Sequence, residues 1–298
     1  MTKTKLIVIL GPTSSGKSSL GIKLARKFRG EIISADSRQV YKGMNLGTGK
    51  VSKKEQRLVP HHLLDVASPK KQFTAAEFKT STNVTIVKII EAGKIPFLVG
   101  GTPFYIYSVI DNLQFPEVVP NLKLRKQYAK KSAAELFQML KKLDLRRAKS
   151  IDRHNPRRLL RAIEIIKATG KPVPVLSSLP FSYSPLILGI KKELPQLYKL
   201  IDSRIEKRLK AGMVKEVQNL LKQKKITHKR LQEMGLEYRF ISLYLCGQMT
   251  FPQMKLQMKN ANHKFAKRQL TWFKTDNRIH WFKNQREAEK LIRLFLIK

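Results

Sequence analysis

The sequence KLIVILGPTSSGKSSLGIKLARKF at residues 5–28 decides the fold. Its first six residues, KLIVIL, contain an apolar run of strand length, and a glycine-rich turn separates them from a segment with helical spacing. That turn, Gly11 to Ser18, fits the phosphate-binding motif G-x-x-x-x-G-K-[ST] in the context that the motif requires. Backbone amides and the helix N-terminus favour phosphate oxygens there, Lys17 adds a positive charge, and Ser18 offers a hydroxyl to Mg²⁺. The turn therefore predicts a diphosphate or triphosphate site, without indicating which.

Apolar runs of strand length recur at residues 31–36 (EIISAD), 95–101 (IPFLVGG) and 186–190 (LILGI). The segments between them are long enough for helical crossovers, which is the pattern of a parallel sheet covered by helices. We predict an α/β fold of the P-loop NTPase type. Beyond the last strand, helical spacing predicts one helix over about 195–223 and another that places four residues on one stripe: Met254, Met258, Ala261 and Phe265.

The long interval before the last of these strands, residues 116–185, shows no strong strand pattern. It contains two basic helical stretches, at 123–143 and 156–169, and the second begins with an Asn-Pro cap and ends at a glycine. We therefore predict a helical insertion over 116–185. It divides a discontinuous core that consists of residues 1–115 and 186–298.

The composition of the chain is strongly basic. Sixty Lys and Arg residues stand against 21 Asp and Glu, a formal net charge of +39. Such a surplus predicts attraction to a polyanion, for which nucleic acid is the first choice, although a uniformly basic proteome would give the same excess. The single cysteine, Cys246, excludes a disulfide framework and a multi-cysteine zinc site. No apolar run reaches membrane-spanning length, so we expect a soluble cytoplasmic protein.

The strand ends bear on whether the loop binds ATP. An ATP-hydrolysing relative is expected to carry an acidic residue for Mg²⁺ after a buried strand, but residues 95–101 are followed by Thr102. The acidic candidate is Asp36, at the end of EIISAD. It would lie in the crevice at the carboxyl edge of a parallel sheet, where such folds bind ligands. Asp36 is therefore predicted to act either as a Mg²⁺ ligand or as a base toward an acceptor.

Seven segments carry a family resemblance. They are GPTSSGKSSL at 11–20, ISADSRQVYKGMNLGTGK at 33–50, HHLLDV at 61–66, LVGGTPFY at 98–105, NPRRLLRAIE at 155–164, MGLEYR at 234–239 and FAKRQLTWF at 265–273. In this order, over nearly the whole chain, they resemble the tRNA dimethylallyltransferases. The phosphate-binding loop alone is shared by very many proteins, whereas its combination with D-S-R-Q-V-Y, G-G-T and A-K-R-Q-x-T-W-F is specific.

The resemblance implies an activity. Enzymes of this family transfer a dimethylallyl group from dimethylallyl diphosphate to N6 of the adenine immediately 3′ of the anticodon, in tRNAs that read codons beginning with U. The expected products are N6-dimethylallyladenosine and diphosphate. The implied partners are the anticodon stem-loop of tRNA and dimethylallyl diphosphate, with Mg²⁺ as the cofactor. We expect a monomer that does not associate with membranes.

The resemblance also assigns roles to residues. Lys17, Asp36 and Thr102 are implied to be catalytic, Asp36 as acceptor of the N6 proton and Thr102 in positioning the adenosine. Mg²⁺ is expected on Ser18. The diphosphate of the donor is expected on Gly11, Pro12, Thr13, Ser14, Ser15, Gly16, Lys17 and Ser18. The tRNA is expected to contact Asp36, Ser37, Arg38, Gln39, Thr102, Arg125, Arg157, Arg158, Leu159, Leu160, Arg161, Tyr238 and Arg239.

Several further residues have two interpretations. Arg204 and Arg208, one helical turn apart, could reach the diphosphate. A basic face formed by Lys264, Lys267 and Arg268 could contact RNA or only solvent. For Trp272, Phe273 and the Met254/Met258 stripe, a place in the core is favoured over base stacking. His61 and His62 point apart and have no further ligand at metal spacing, which favours a structural role over zinc.

Two rival functions remain open at this stage. A small-molecule or nucleotide kinase would use the phosphate-binding loop for ATP and Asp36 as a metal or substrate ligand, but would leave the basic insertion unexplained. An inactive RNA-binding module would require a damaged site, and the sequence shows none.

Overall fold

The computed structural model describes residues 4–175, 177 and 183–297. The chain forms two compact units, a core of Met1–Asn112 and Pro180–Lys298 and an insertion of Leu113–Leu179. These boundaries lie a few residues from the predicted ones at 116 and 185. The end of the predicted insertion, at 176 and 178–182, lies outside the described residues.

A parallel six-stranded sheet organises the core unit, with the strand order β3-β2-β4-β1-β5-β6. The strands are β1 (Thr4–Leu10), β2 (Gly30–Ala35), β3 (His61–His62), β4 (Ile95–Gly100), β5 (Tyr183–Ile190) and β6 (His280–Phe282). The predicted fold class is confirmed. The edge strands β3 and β6 were not predicted, because two or three residues without an apolar run carry too little pattern.

The described residues form fourteen helices, and none of them is long and apolar enough to cross a bilayer. They are α1 (Lys17–Lys27), α2 (Lys53–Leu58), α3 (Ala75–Glu91), α4 (Pro103–Ile110), α5 (Leu122–Gln127), α6 (Ala133–Leu143), α7 (Leu145–Ser150), α8 (Pro156–Thr169), α9 (Leu194–Lys210), α10 (Met213–Lys222), α11 (His228–Met234), α12 (Leu236–Leu245), α13 (Phe251–Phe273) and α14 (Gln285–Ile297). Helices α5 to α8 form the insertion.

Both faces of the sheet are covered. Along β1, Leu6, Val8 and Leu10 belong to one buried cluster, and the alternating Ile7 and Ile9 belong to another. A strand with two buried faces reads as a continuous apolar run, which is why KLIVIL could be identified from the sequence. The parallel arrangement places the carboxyl ends of β1, β2 and β4 at one edge of the sheet.

Two predicted helices are each broken in the structure. The helix predicted over 195–223 is divided into α9 and α10 at Gly212, whose φ of 95° does not fit a right-handed helix. The stretch predicted over 123–143 is divided into α5 and α6, because Ser132 and Glu135 form a capping box that starts a new helix. Apolar spacing continues across both breaks, so it did not reveal them.

Helix α13 confirms part of its predicted pattern. Met254, Met258 and Phe273 are fully buried, whereas Ala261 is only half-buried. The prediction that Trp272 lies in the core is wrong, since its exposed fraction is 44%. Adjacent helical residues point about 100° apart, so a buried Phe273 turns its neighbour toward solvent.

Candidate active site

The phosphate-binding loop connects β1 to α1 through a turn that requires its glycines. Gly16 caps α1 in the left-handed conformation, with φ of 91°. A Cβ on Gly11 would lie 2.9 Å from Ser15 Oγ, closer than Cβ atoms approach other atoms. Lys17 Nζ donates a hydrogen bond to Pro12 O over 3.2 Å, which folds the lysine back across the loop. The loop is thus shaped before any ligand binds.

Several polar atoms at this loop are buried without a hydrogen-bond partner in the described part of the chain. They are Ser14 Oγ, Ser15 Oγ and Arg204 Nε. Arg204 reaches the loop from α9, and its Nη2 donates to Thr13 Oγ1. Buried polar atoms are rarely left unpaired. The concentration of unpaired donors around one turn is what an anion-binding site requires.

The phosphate-binding loop is surrounded by more positive than negative side chains. Burial lowers the pKa of Lys17 to about 8, with Asp36 opposing the shift and Arg204 and Arg208 adding to it. Burial likewise lowers the pKa of Arg204 to about 10, and repulsion from Arg208 contributes. Arg208 Nη1 lies 3.7 Å from Glu237 Oε1, which forms an ion pair. A diphosphate would relieve this repulsion, which supports the expectation that Arg204 and Arg208 act on the anion.

Asp36 and Thr102 meet at the carboxyl edge of the sheet, because each follows one of two paired strands. Thr102 N donates to Ala35 O over 3.2 Å, and Ser37 N donates to Thr102 Oγ1 over 3.0 Å. Arg38 N donates to Asp36 Oδ1 over 2.9 Å. These bonds fix the turn after β2 against the turn after β4. The two residues predicted to act on the adenine therefore lie side by side.

One pocket connects this edge with the phosphate-binding loop. It is a cavity of about 70 Å³. Apolar side chains of Ile32, Val51, Val99 and Phe265 form part of its wall. Its polar lining includes Thr13, Lys17, Ser18, Ser34, Asp36, Gln39, Thr48, His61, Arg204 and Gln269. The predicted donor-binding and proton-accepting residues are thus brought to one place, with apolar surface beside them.

Gln269 connects the helix α13 to both halves of the site. Its Oε1 accepts from Thr13 N over 2.9 Å, and its Nε2 donates to Gly101 O. A Cβ on Gly101 would lie 2.7 Å from that Nε2, so the glycine permits the contact. No role was predicted for Gln269, although it is the glutamine of the A-K-R-Q-x-T-W-F segment. The contact spans 256 residues, and no local pattern reveals it.

The loop after β2 is held by Glu216 of α10, a residue that sequence reasoning missed. Its carboxylate accepts from the backbone N–H groups of Asn45, Leu46 and Gly47 over 2.7–3.1 Å, and from Tyr238 Oη over 2.9 Å. Tyr238 is fully buried, with its ring against Gly47. The ring of Tyr238 thus fills the core beneath the loop, and the predicted contact of this residue with tRNA stays a prediction.

Gly49 lies in the pocket wall, within the segment Gly47-Thr48-Gly49-Lys50-Val51. Gly49 has a φ of 61°, and a Cβ there would lie 1.4 Å from Arg208 Nη2. Gln39, which is buried, donates through Nε2 to Gly49 O over 3.2 Å and accepts from Ser34 Oγ. The glycine therefore admits the Arg208 guanidinium to this end of the pocket.

The remaining core residues predicted to contact tRNA differ in exposure. Arg239 is exposed, and Ser37 and Arg38 are half-buried. Arg38 Nη1 donates to Gly235 O over 3.2 Å, which connects the strand-end turn to the start of α12. These placements leave the predicted contacts with tRNA as predictions.

In the insertion, the predicted arginines fall into two groups. Arg125 donates twice to the buried Glu164, over 2.9 and 3.0 Å, and Arg161 donates to it over 2.7 Å. Arg157 and Arg158 are exposed on the same helix as Arg161, α8. Leu159 is fully buried in the core of the insertion and Leu160 is half-buried. Their predicted contacts with tRNA stay predictions.

The His61-His62 pair forms β3, and its side chains point apart as expected. His61 Nδ1 is 2.8 Å from Val59 O, and burial lowers the pKa of this histidine. His62 Nε2 is 2.6 Å from Glu31 Oε2. Each imidazole therefore has a partner within the fold, and the ring of His61 also lines the pocket.

The expected Mg²⁺ can be tested against the donor atoms present. Among the described residues no group of three His, Cys, Asp or Glu side chains could hold a metal ion. Mg²⁺ usually keeps several waters and binds one or two protein oxygens together with substrate phosphates. Ser18 and Asp36 supply oxygens in the pocket that contains the phosphate-binding loop. The residues fit a cation that arrives with a diphosphate.

Known proteins similar to this chain include a protein family and several enzymes that act on tRNA. The model of a family described as IPP transferase matches residues 39–276. The tRNA dimethylallyltransferase of Carboxydothermus hydrogenoformans is 41% identical over 95% of this chain and 93% of its own, and tRNA dimethylallyltransferase 1 of Geotalea daltonii is 43% identical over 93% and 90%.

Solved structures give the same result. A tRNA isopentenylpyrophosphate transferase from Bacillus halodurans superposes with a TM-score of 0.72 at 33% identity, covering 99% of this chain and 96% of that one. A eukaryotic dimethylallyltransferase acting on tRNA gives a TM-score of 0.75 at 26% identity, over 94% of this chain and 74% of that one. The resemblance identified from the sequence is confirmed, and the chain belongs to the IPP transferase family.

Proposed function

We propose that this protein transfers a dimethylallyl group from dimethylallyl diphosphate to N6 of the adenine immediately 3′ of the anticodon, in tRNAs that read codons beginning with U. The observation that carries the proposal is the shared pocket, which contains the phosphate-binding loop, the strand-end carboxylate and apolar wall residues. A prenyl diphosphate needs all three: cations for the diphosphate, apolar surface for the hydrocarbon, and a base for the attacking amine.

The leaving group determines the chemistry on one side of the pocket. The C–O bond between the allylic carbon and the diphosphate breaks, and negative charge develops on the departing oxygen. Lys17, Arg204 and the loop amides stabilise that charge, which is the type of interaction that contributes most to such reactions. Ser18 would hold Mg²⁺, which when bound neutralises charge on the diphosphate. Lys17, Arg204 and Arg208 repel one another in the free protein, and a bound diphosphate would be attracted by all three charges.

The acceptor determines the other side. A bond forms between N6 and the allylic carbon, and the proton lost from N6 passes to the carboxylate of Asp36. The hydroxyl of Thr102, which accepts a hydrogen bond from Ser37 N, would position the adenine. An adenine stacked in an anticodon loop cannot reach a pocket of this kind, so it must turn out of the stack, at a cost of a few kcal/mol. The basic surface supplies phosphate contacts that offset this cost.

The direct test mixes the protein with unmodified tRNA, Mg²⁺ and isotopically labelled dimethylallyl diphosphate. Label is expected in the RNA, and omission of any one component should abolish its transfer. Turnover of ATP without transfer of label would overturn the proposal in favour of a kinase.

The role of Asp36 is tested separately with Asp36→Asn. Loss of the base should slow transfer by about 10² to 10⁴-fold while affinity for inorganic diphosphate is retained. The matched control is Asp202→Asn, which removes a carboxylate of α9 that pairs with His263 and does not line the pocket. If Asp36→Asn abolishes diphosphate binding instead, Asp36 is a metal ligand and not the base.

A further inference from the structure

A single buried side chain, that of Gln269, connects the phosphate-binding loop with the turn before Thr102. Its exposed fraction is 3%, so its amide depends on the protein for hydrogen bonds. Oε1 accepts from Thr13 N over 2.9 Å, and Nε2 donates to Gly101 O. One amide group therefore serves a loop on the donor side of the pocket and a turn on the acceptor side.

The loop needs support at the point where Gln269 contacts it. Ser14, the residue after Thr13, has a φ of 61°, in the left-handed region that a serine rarely adopts. Such a conformation persists only where the surrounding structure holds it. Thr13 is held twice, through its N by Gln269 and through its Oγ1 by Arg204. Gln269 therefore shapes the loop, and the unpaired hydroxyls of Ser14 and Ser15 are left for a ligand.

The other contact of Gln269 reaches the acceptor side. Gly101 precedes Thr102, whose N donates to Ala35 O over 3.2 Å and whose Oγ1 accepts from Ser37 N over 3.0 Å. A Cβ on Gly101 would lie 2.7 Å from Gln269 Nε2, so the amide and the backbone approach each other closely. Hydrogen bonds and one peptide unit therefore connect the phosphate-binding loop with the turn after β2.

The two contacts require opposite hydrogen-bonding groups. Thr13 N is a donor and needs an acceptor, whereas Gly101 O needs a donor. The glutamine amide offers one of each. A carboxylate would place an acceptor against Gly101 O, and a thioether would serve neither partner. Because both contacts fix the orientation of the same amide, a displacement at one end acts on the other.

We propose that Gln269 is a positioning residue that couples the two substrate sites, so that RNA on the acceptor side and diphosphate on the loop strengthen each other's binding. The inference rests on the proposed function, and it adds a link between the two halves of the pocket. The first ligand orders its own end of the bridge, and the second then binds a site that is already ordered. Such coupling is reciprocal, since each ligand changes the affinity of the other by the same factor.

The test measures the Kd of inorganic diphosphate with Mg²⁺, in the absence and in the presence of a saturating unmodified anticodon stem-loop. For the wild-type protein we expect the RNA to lower this Kd by about fivefold or more, the range found for coupled sites. Gln269→Met keeps the length of the side chain and removes both hydrogen bonds, so the RNA should no longer change the Kd. A lower overall stability of the variant does not by itself alter the ratio of the two Kd values.

Gln269→Glu divides the bridge. Its carboxylate still accepts from Thr13 N but offers no donor to Gly101 O, so the coupling should be lost here as well. The added negative charge weakens diphosphate binding with and without RNA, and this effect cancels in the ratio. Because one of the two contacts is retained, this variant decides the question if Gln269→Met does not fold.

Asn262→Leu is the matched control. Asn262 is another buried amide of α13, with an exposed fraction of 1%, and its Nδ2 donates to Met258 O within the same helix. It does not line the pocket. The substitution removes a buried hydrogen bond without touching either side of the bridge. The RNA should therefore strengthen diphosphate binding in this variant by the wild-type factor, even if the melting temperature falls.

The outcomes are distinguishable. If wild-type protein moves no label into tRNA, the proposed function fails. If wild-type protein is active but RNA does not strengthen its binding of diphosphate, or strengthens it equally in Gln269→Met and Gln269→Glu, only the coupling role is refuted. Loss of coupling in Asn262→Leu would also refute it, because any buried amide of α13 would then have the same effect.

Discussion

The arginines of the insertion and those of the active-site pocket differ in whether the fold supplies their partners. In the insertion, burial raises the pKa of Glu164, but hydrogen bonds from Arg125, Arg161 and Asn121 N more than compensate, and the pKa lies below its usual range. In the pocket, burial and Arg208 lower the pKa of Arg204 to about 10, and its Nε has no partner among the described residues. Cations of the first kind stabilise the fold, and those of the second kind are available to a ligand.

The largest effect is expected where the insertion is stabilised. Glu164→Gln removes the charge from a fully buried carboxylate, while solvent still reaches the partly exposed guanidinium groups of Arg125 and Arg161, so the insertion should be destabilised by about 3 kcal/mol. Hydrogen exchange should accelerate in α8, while the amides of β1 stay protected. Glu135→Gln is the control, because Gln also serves in the capping box of α6. Equal effects of the two substitutions would show that the charge of Glu164 stabilises the insertion no more than an exposed carboxylate does.

In the pocket, the opposite combination is expected for Lys17→Met. Removal of a cation that stabilises the leaving diphosphate should slow transfer by about 10² to 10³-fold. Thermal stability should not fall, because burial already disfavours the charged form of Lys17. Lys23→Met, a change on the exposed face of α1, should alter neither quantity. Single-turnover transfer and thermal melting measure the two effects, and a loss of stability in Lys17→Met would show that this charge supports the fold.

The sequence predicted the half of the site that depends on local pattern. The phosphate-binding loop, Asp36 and Thr102 each sit at a strand end, and parallel topology alone brings strand ends together. The family, the fold class and the enzyme class followed from the motifs and are confirmed. The residue roles and Mg²⁺ stay predictions.

The rest depended on contacts between distant segments. Glu216 holds a loop about 170 residues away, and Gln269 contacts Thr13 across 256 residues. A motif also does not distinguish a side chain that faces the ligand from one that supports it. Tyr238 and Leu159 lie in segments matched to the family's tRNA-contacting positions, yet both side chains fill the core. Arg125 and Arg161 illustrate the same point, since only the structure reveals Glu164 between them.

A smaller effect on catalysis is expected for Glu216, because it does not line the pocket but holds the loop of residues 45–47 beside it. In Glu216→Gln, an NH₂ group replaces one of the two carboxylate oxygens. Because both oxygens accept from backbone N–H groups of residues 45–47, the NH₂ group brings a second donor against at least one N–H donor. The loop that carries Thr48 and Gly49 should shift, and kcat should fall by about tenfold, a rise of about 1.4 kcal/mol in the activation free energy. The melting temperature should fall as well, because a hydrogen bond to a charged group contributes about 1.5–3 kcal/mol to stability. Glu206→Gln, on α9, is the control; equal kcat values would exclude a positioning role for Glu216.

A separate test concerns pH dependence, and its sign follows from Lys17. The pKa of Lys17 is about 8 in the folded protein and near 10.5 in the unfolded chain, so between these values the unfolded chain binds more protons. Stability should therefore rise with pH across this window, and Lys17→Met should abolish that contribution. Diphosphate affinity should instead fall above pH 8, because the deprotonated lysine no longer attracts the anion. At pH 8.5 binding should take up protons, measurable by calorimetry in buffers of different ionisation enthalpy. The control is Lys17→Arg, because the charge of arginine is permanent. If this variant takes up as many protons on binding diphosphate as the wild type does, the titrating group is not Lys17. Lys17 would then keep a permanent charge, as the paired arginines of the insertion do.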